Sequence, residues 1–184
     1  MRVIRGYLKG RNLEGYNTLG TRPTMDRVKE SLFAMIQDNI TSSVILDLFC
    51  GTGSLGIEAI SMGARKCYFV DNNREIIKYL TKNIVNLGIE DKTKIIVKDY
   101  RDALCYFKEH DITFDIILVD APYKMNIMEK IIEIVSTKDI LNSGGLLILE
   151  YSVDVLKDNY GDFILLKKKK YGNKFVNIYR KAID

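Results

Sequence analysis

Apolar runs of strand length alternate with segments whose apolar residues recur at helical spacing along most of this 184-residue chain. Strands are predicted at residues 44–48, 66–71, 95–97, 114–119 and 146–150, and helices at 54–62, 76–87, 102–108 and 128–135. A strand that is apolar at nearly every position must be buried on both faces, which requires helices on both sides of the sheet. The pattern therefore predicts an α/β fold with a mostly parallel sheet.

The two ends of the chain depart from this alternation. Residues 163–171 and 175–180 are predicted to form two strands joined by a turn at Gly172-Asn173, so this pair is antiparallel. Residues 23–37 are predicted to form an additional helix near the start. We expect one compact doubly wound unit with seven strands, in which residues 1–40 are an N-terminal extension and residues 41–184 are the main domain.

The positive charge of the chain is concentrated at its start. Residues 1–30 hold seven Lys or Arg side chains and three acidic ones, whereas the other 154 residues hold 21 of each sign, so the net charge of +4 belongs to this basic arm. A basic arm on a neutral body is typical of a protein with a polyanionic partner. A solvated, poorly ordered terminus is the alternative that charge alone leaves open.

Cysteine and histidine usage excludes several classes of site. Cys50, Cys67 and Cys105 are an odd number of widely spaced cysteines without a Cys-x-x-Cys pair, which argues against a disulfide framework or a zinc site. His110 is the single histidine and no nucleophile is placed beside it, which argues against a Ser-His-Asp arrangement. We expect no metal.

The apolar runs are also too short for a membrane protein. None approaches the roughly 20 residues that a membrane span needs, and the first six residues contain no apolar block of the kind found in a signal peptide. We expect a cytoplasmic protein without a membrane partner.

A glycine-rich loop follows the first predicted strand. Gly51-x-Gly53-x-x-Gly56 matches the dinucleotide fingerprint and precedes a predicted helix, so a ligand can approach its backbone closely. Asp47 at the strand end favours S-adenosylmethionine over NAD, because its carboxylate can meet the ammonium of a methionine moiety but would repel a pyrophosphate. Asp71 ends the next strand, where it can accept both ribose hydroxyls of either cofactor.

The third predicted strand is followed by Asp99-Tyr100. The carboxylate can accept a hydrogen bond from an adenine amine, and the ring can lie beside the base. A helix N-cap is the alternative role for Asp99. With Phe49 and Asn72, these residues complete the predicted cofactor site.

Asp120-Ala121-Pro122-Tyr123 directly follows the apolar strand 114–119, at the sheet edge where α/β proteins bind ligands. An exocyclic amine on a nucleobase is a poor nucleophile because its lone pair is delocalised into the ring. The Asp120 carboxylate and the Ala121 carbonyl can accept its two N–H bonds and turn the lone pair towards a sulfonium methyl group. Tyr123 can stack on the base, which is worth about 1–3 kcal/mol. Alignment then supplies much of the rate, although an Asp before a proline turn is common in isolation.

The chain resembles the bacterial small-subunit ribosomal RNA guanine-N2 methyltransferases, methyltransferase D of the 16S series, nearly from end to end. The resemblance rests on Gly6, Gly10-Arg11, Arg22-Pro23-Thr24, Arg27-Val28-Lys29-Glu30, Leu46-Asp47-Leu48-Phe49-Cys50-Gly51-Thr52-Gly53, Gly56-Ile57-Glu58-Ala59, Asp71, Asp120-Ala121-Pro122-Tyr123, Tyr171-Gly172 and Tyr179. It implies a Rossmann-like, class I S-adenosylmethionine-dependent methyltransferase that modifies the N2 amine of a guanine in 16S rRNA. The RNA would be part of an assembled or assembling small subunit, and a monomer is the default expectation.

The resemblance also assigns roles to residues. It implies that Asp47, Gly51, Gly53, Asp71 and Asp99 bind the cofactor, with Thr24 nearby, and that residues 120–123 hold the target base. Arg22 would lie at the mouth of the site, and Arg2, Arg5, Lys9 and Arg11 would bind RNA phosphates. The family pattern is Asp-Pro-Pro-Tyr, and Ala121 departs from it. Alanine also offers a backbone carbonyl, so we expect activity to survive with a less rigid turn.

Four other functions stay open. A DNA adenine-N6 or cytosine-N4 methyltransferase and a protein glutamine methyltransferase share the chemistry, but the first usually needs a further recognition domain and the second usually has Asn in place of Asp120. An NAD-dependent oxidoreductase would leave Asp47 and residues 120–123 without a role. A non-catalytic RNA-binding protein is the fourth. The run of lysines at 167–170 is interpreted as solvated protection of a sheet edge.

Overall fold

The computed structural model describes residues 1–15, 22–122 and 127–183, with residues 22–24 described by their backbone alone. It contains one eight-stranded sheet with the order β3-β2-β1-β4-β5-β8-β7-β6. The strands are β1 (Val44–Leu48), β2 (Lys66–Asp71), β3 (Thr93–Val97), β4 (Phe114–Asp120), β5 (Leu141–Tyr151), β6 (Asn159–Tyr160), β7 (Phe163–Tyr171) and β8 (Lys174–Lys181). Strands β1 to β5 are parallel, and β6, β7 and β8 pair in antiparallel fashion. The predicted parallel sheet with an antiparallel C-terminal hairpin is confirmed.

The strand count differs from the predicted seven because of β6. This strand has two residues and pairs only with the first two residues of β7, so it is too short to leave an alternating pattern in the sequence. Strand β5 also begins five residues earlier than predicted. Its early part includes a register shift opposite residues 114–116 of β4, and such an irregularity interrupts the apolar run by which a strand is recognised.

The described residues include five α-helices, of which the first precedes the first strand and the others connect successive strands. They are α1 (Arg22–Ile36), α2 (Ser54–Ser61), α3 (Arg74–Leu87), α4 (Tyr100–Glu109) and α5 (Met128–Lys138). Helix α3 begins after Asn73, whose side chain accepts hydrogen bonds from the N–H groups of Glu75 and Ile76, and it ends at Gly88 with φ of 66°. None of the helices in the described ranges is long and apolar enough to cross a membrane.

Two apolar clusters lie on opposite faces of the sheet because successive strand residues point to opposite sides. The first face carries Ile45, Ile116 and Ile148 and is covered by α1, α2, α3 and the first 15 residues. The second face carries Leu46, Leu48, Ile117 and Leu147 and is covered by α4 and α5. Strand residues in phase with Ile45, Ile116 and Ile148 therefore point to the first face, and these include Asp47, Asp120 and Glu150.

Residues 1–15 are folded, which contradicts the alternative of a poorly ordered terminus for this segment. Arg2 and Asn12 form an antiparallel bridge, and the N–H of Val3 donates to the Arg11 carbonyl at 2.9 Å. Val3, Leu8 and Leu13 are buried in the same cluster as the core of the sheet. The division at residue 40 stays a prediction.

The four lysines at 167–170 are exposed on β7, as expected for edge protection. Lys169 donates to Ser31 Oγ of α1 at 3.0 Å, whereas Lys168 and Lys170 lie over the Phe175 ring at 5.6 and 5.4 Å from its centroid. The alternation of side chains thus divides the run between two surfaces.

Candidate active site

A cleft of about 440 Å³ lies at the carboxyl ends of β1 to β4. It brings together nine residues that the sequence analysis selected, from four separate segments. They are Phe49, Gly51, Asp71, Asn72, Asp99, Tyr100, Asp120, Ala121 and Pro122. Parallel strands end at one edge of the sheet, which explains why residues so distant in sequence line one cleft.

A smaller cavity adjoins this cleft beneath α1 and shares Phe49, Asp120 and Lys174 with it. Its remaining walls come from β1, the glycine loop, the start of α2, α1, the first residue and strand β5. They are Asp47, Cys50, Ser54, Leu55, Met25, Val28, Lys29, Leu32, Met1 and Glu150. The cleft and the cavity together form an elongated site with Asp120 between its two halves.

The glycine loop combines an open position with packed ones. Gly51 has φ of 55° and no atom within 4 Å of where a Cβ would be, so it presents bare backbone to the cleft. Gly53 has φ of 93°, but a Cβ there would meet Leu80 Cδ1 at 2.4 Å. Gly53 thus lets the loop pack against α3, and its predicted contact with the cofactor stays a prediction.

Asp47 is almost completely buried, and its Oδ2 accepts a hydrogen bond from the Gly56 N–H at 2.9 Å. Burial, partly offset by the hydrogen bond from the Gly56 N–H and assisted by the charges of Asp120 and Asp71, raises its pKa to about 7. A cationic ligand stabilises the charged form of such a buried carboxylate. The ammonium of a methionine moiety fits this requirement, and a pyrophosphate does not.

Asp71 holds the loop by two backbone hydrogen bonds. Its Oδ2 accepts from the Gly51 N–H at 3.0 Å, and its Oδ1 accepts from the Asn73 N–H at 2.9 Å. A carboxylate oxygen can accept a second hydrogen bond, so both oxygens can also receive ribose hydroxyls. The side chain is thereby fixed at the position that the sequence analysis assigned to it.

Phe49 and Tyr100 form an apolar wall of the cleft. Their ring centroids are 5.4 Å apart, and Phe49 has the uncommon φ of 65°. Asp99 caps α4, because its Oδ1 accepts hydrogen bonds from the Arg101 N–H and from Arg101 Nε, both at 3.0 Å. The N-cap interpretation of Asp99 is confirmed, and its contact with adenine stays a prediction.

Asp120 ends β4 between the two halves of the site. Burial and the charge of Glu150, partly offset by Lys174, raise its pKa to about 7. Ala121 is buried, whereas Pro122 is exposed and lines the cleft. Tyr123 lies outside the described residues, as do the side chains of Arg22 and Thr24.

Sequence reasoning missed Glu150 and Lys174, which form an ion pair beside Asp120. Lys174 Nζ is 2.6 Å from Glu150 Oε1, and both side chains are largely buried. One signal was present: Glu150 follows an apolar run just as Asp120 does. The sequence contains no such signal for Lys174, because lysine is common after a turn on the surface of a protein.

A second buried ion pair connects the first residues to helices α1 and α2. Lys29 Nζ of α1 lies 3.0 Å from Glu58 Oε2 of α2, and the two side chains are 4% and 1% exposed. Glu58 accepts hydrogen bonds from the N–H groups of Ile4 and Arg5, and Lys29 donates to the Arg2 carbonyl at 2.7 Å. This network fixes the backbone of the arm above the glycine-loop helix.

The arm does not bring its four predicted phosphate ligands to one place. Arg2 and Lys9 line a groove of about 420 Å³ together with Arg27 of α1. Arg11 Nη2 instead donates to the Asn86 carbonyl of α3 at 2.7 Å, and Arg5 does not line the groove. Contact of these residues with RNA stays a prediction. In the described ranges, no group of three acidic, histidine or cysteine side chains could hold a metal ion.

Comparison with known proteins places the chain among methyltransferases. The family model described as "Conserved hypothetical protein 95" matches residues 1–180. The "Putative rRNA methyltransferase YlbH" of Bacillus subtilis is 35% identical over 98% of this chain and 99% of its own length. The "Ribosomal RNA small subunit methyltransferase D" of Haemophilus influenzae is 31% identical over 98% of this chain and 93% of its own.

Solved structures agree with this placement. The "Putative methyltransferase yhhF" of Escherichia coli has a TM-score of 0.87 at 25% identity, over 100% of this chain and 99% of its own. A putative methyltransferase complexed with S-adenosylhomocysteine has a TM-score of 0.68 at 16% identity, over 80% of this chain and 49% of its own. The latter likeness shows the fold alone.

Proposed function

This chain belongs to the family described as conserved hypothetical protein 95 and is a methyltransferase, and from this premise we propose that it transfers a methyl group from S-adenosylmethionine to the N2 amine of a guanine in small-subunit ribosomal RNA. The observation that carries the proposal is the position of Asp120. It lies where the cleft with cofactor-type residues meets the adjoining cavity beneath α1, and its side chain lines both.

The residues of the cleft fit the cofactor. Asp71 would bind the ribose hydroxyls, Phe49 and Tyr100 would lie against the adenine, and Gly51 would let the ligand approach the backbone. Asp47, in the wall of the adjoining cavity, would receive the ammonium. When bound, S-adenosylmethionine supplies an electrophilic methyl group on its sulfonium. Asp47 would lose part of the cost of its buried negative charge when the ammonium of the cofactor is beside it.

Asp120 and the Ala121 carbonyl hold the amine in line with the methyl group. As the nitrogen–carbon bond forms and the sulfur–carbon bond breaks, the nitrogen becomes positively charged and loses a proton. Asp120 is the acceptor within reach, because a carboxyl group with a pKa near 7 takes up a proton readily at neutral pH. Tyr123 of the same tetrapeptide stacks on the base in this proposal.

The substrate class follows from two observations. The curated relatives are named as rRNA or ribosomal RNA small subunit methyltransferases, and the groove on the arm has a cationic excess for phosphates, with Arg2, Lys9 and Arg27 against Asp26 and Glu30. We take 16S rRNA in an assembled or assembling small subunit as the partner, with a base extruded from its stack.

The test uses purified protein, labelled S-adenosylmethionine and small ribosomal subunits from cells without the homologous enzyme. Digestion to nucleosides should place the label in N2-methylguanosine at one site. Asp120→Asn should abolish the label, and Asp91→Asn, an exposed change at the far edge of the sheet, should not. Label in another nucleoside, or none while S-adenosylmethionine binds, would disprove the proposed target.

A further inference from the structure

Three neighbouring strands present polar side chains to the cavity beneath α1. Asp120 of β4 and Glu150 of β5 are partners in the register of the parallel pair. Lys174 of β8 lies two residues before Val176, which is the partner of Glu150. All three side chains line the same cavity, so the sheet order places them in the sequence Asp120, Glu150, Lys174.

This order is a pattern of hydrogen-bonding types. The two carboxylates accept hydrogen bonds and the ammonium donates them, so the pattern is acceptor, acceptor, donor. The Watson–Crick edge of guanine offers the N2 amine and the N1–H as donors and O6 as an acceptor, which is the complementary pattern. Adenine and cytosine present a ring nitrogen acceptor next to their amine, where this site has a second acceptor.

We propose that Glu150 and Lys174 are the residues that select guanine: Glu150 accepts the N1–H and Lys174 donates to O6, while Asp120 holds the N2 amine. The inference rests on the proposed function and names the residues that give the reaction its base specificity. An extruded base is read at this edge by hydrogen bonds in other base-modifying enzymes.

The ion pair holds the two side chains in the positions that recognition of guanine would require before the base binds. Lys174 Nζ lies 2.6 Å from Glu150 Oε1, with exposed fractions of 26% and 13%, so the two atoms sit next to each other as N1 and O6 do on the base. In adenine or diaminopurine the N1 lone pair would face the Glu150 carboxylate, and two hydrogen-bond acceptors repel each other. The partly buried charges of Glu150 and Lys174 would then lack hydrogen-bond partners on the base, which is costly in a desolvated site.

The charges of this site also act on one another. Glu150 raises the pKa of Asp120 and Lys174 lowers it, so all three groups share one electrostatic environment. The competing interpretation is that the ion pair only stabilises the pairing of β5 with β8. A purely structural ion pair would contribute to the stability of the fold without affecting which base reacts, and this difference gives the test.

The experiment compares two substrates that share the reacting amine. Small subunits are reconstituted with guanine or with 2,6-diaminopurine at the methylated position. Diaminopurine keeps the N2 amine but has an acceptor at N1 and a donor amine in place of O6. The ratio of kcat/KM for the two substrates is measured for the unaltered protein, for the double variant Glu150→Gln/Lys174→Met and for Lys181→Gln.

For the unaltered protein we expect guanine to be preferred by on the order of 10- to 100-fold. The double variant should lose most of this preference, because its side chains no longer oppose the diaminopurine edge. Lys181→Gln is the matched control: Lys181 pairs with Asp139 at the other end of β8, and its loss should leave the ratio unchanged.

Two outcomes would contradict the inference, and they differ in what else they contradict. If the ratio of kcat/KM for the two substrates is unchanged in the double variant and activity on both is reduced equally, the ion pair is purely structural. This result would leave the proposed function intact. No transfer to guanine by the unaltered protein would overturn the proposed function and this inference together.

Discussion

The two halves of the site fix their carboxylates by different means. In the half that we propose holds the cofactor, Asp71 accepts from the N–H groups of Gly51 and Asn73, and Asp47, which lines the adjoining cavity, accepts from the Gly56 N–H. In the target half, the group beside Asp120 is the Glu150–Lys174 ion pair, which joins two side chains. Burial is the main cause that raises the pKa of both Asp47 and Asp120, and what opposes it differs: the Gly56 N–H for Asp47 and Lys174 for Asp120. The first opposing group is backbone, which side-chain substitution leaves in place, and the second is a side chain that a single substitution removes.

The largest expected effect separates the two halves directly. Asp120→Ala should lower methyl transfer by at least about 100-fold, because the amine loses its hydrogen-bond acceptor and proton acceptor. Affinity for S-adenosylhomocysteine should stay nearly unchanged, since the partner of Asp120 is the target. Single-turnover transfer and calorimetric binding measure the two quantities. Equal losses in both would assign Asp120 to the cofactor half.

Asp47→Asn tests the cofactor half through both binding and stability. Affinity for S-adenosylmethionine should fall roughly 10-fold or more, because a charged partner of the ammonium is lost. A buried Asp with a raised pKa binds its proton more tightly in the folded state, so its contribution to the free energy of unfolding falls as pH rises from about 4 to about 7. The variant should therefore be more stable than the parent at pH 8, by roughly 2–4 kcal/mol.

Urea unfolding at pH 4 and pH 8 without cofactor measures this difference. Asparagine retains an oxygen for the Gly56 N–H, so the hydrogen bond itself is preserved in the comparison. A stability difference that is the same at both pH values would show that Asp47 does not titrate in this range.

A smaller effect is expected when Lys174 is changed alone. Lys174→Met removes the cation that lowers the pKa of Asp120, so the acidic limb of the pH–kcat profile should move to higher pH by about one unit. Lys181→Gln again serves as control. A profile that does not move would mean that the protonation state of Asp120 does not limit the rate.

The smallest effect concerns the arm. Arg2→Ala with Lys9→Ala should weaken RNA binding and reduce the slope of log affinity against log salt by about 1–2, as expected for two lost phosphate contacts. Arg11→Ala should change the slope less, because Arg11 is engaged with Asn86. Equal changes in both variants would show that the groove is not the phosphate site.

The sequence predicted the carboxylates at the ends of the parallel strands better than the ion pair beside Asp120. Asp47 and Asp71 lie at the ends of apolar strands and Asp99 follows one, and the repeating strand–helix pattern alone shows that such ends meet at one edge. Lys174 belongs to a strand that returns antiparallel from the far end of the chain. Its place beside Glu150 depends on the pairing of β5 with β8, and no local spacing encodes that pairing. The ion pair between Lys29 and Glu58 could not be predicted either, because it also depends on how distant segments pack and not on local spacing.

That second ion pair has a consequence for the kinetics of recognition. With Glu58 and Lys29 holding its backbone, the segment 1–15 is already in place before any substrate arrives. Segments that fold on binding lose conformational entropy at that moment and show a large negative heat-capacity change. Residues 1–15 avoid both, so this part of the surface should engage its partner as a rigid template, with an encounter rate governed by electrostatic steering.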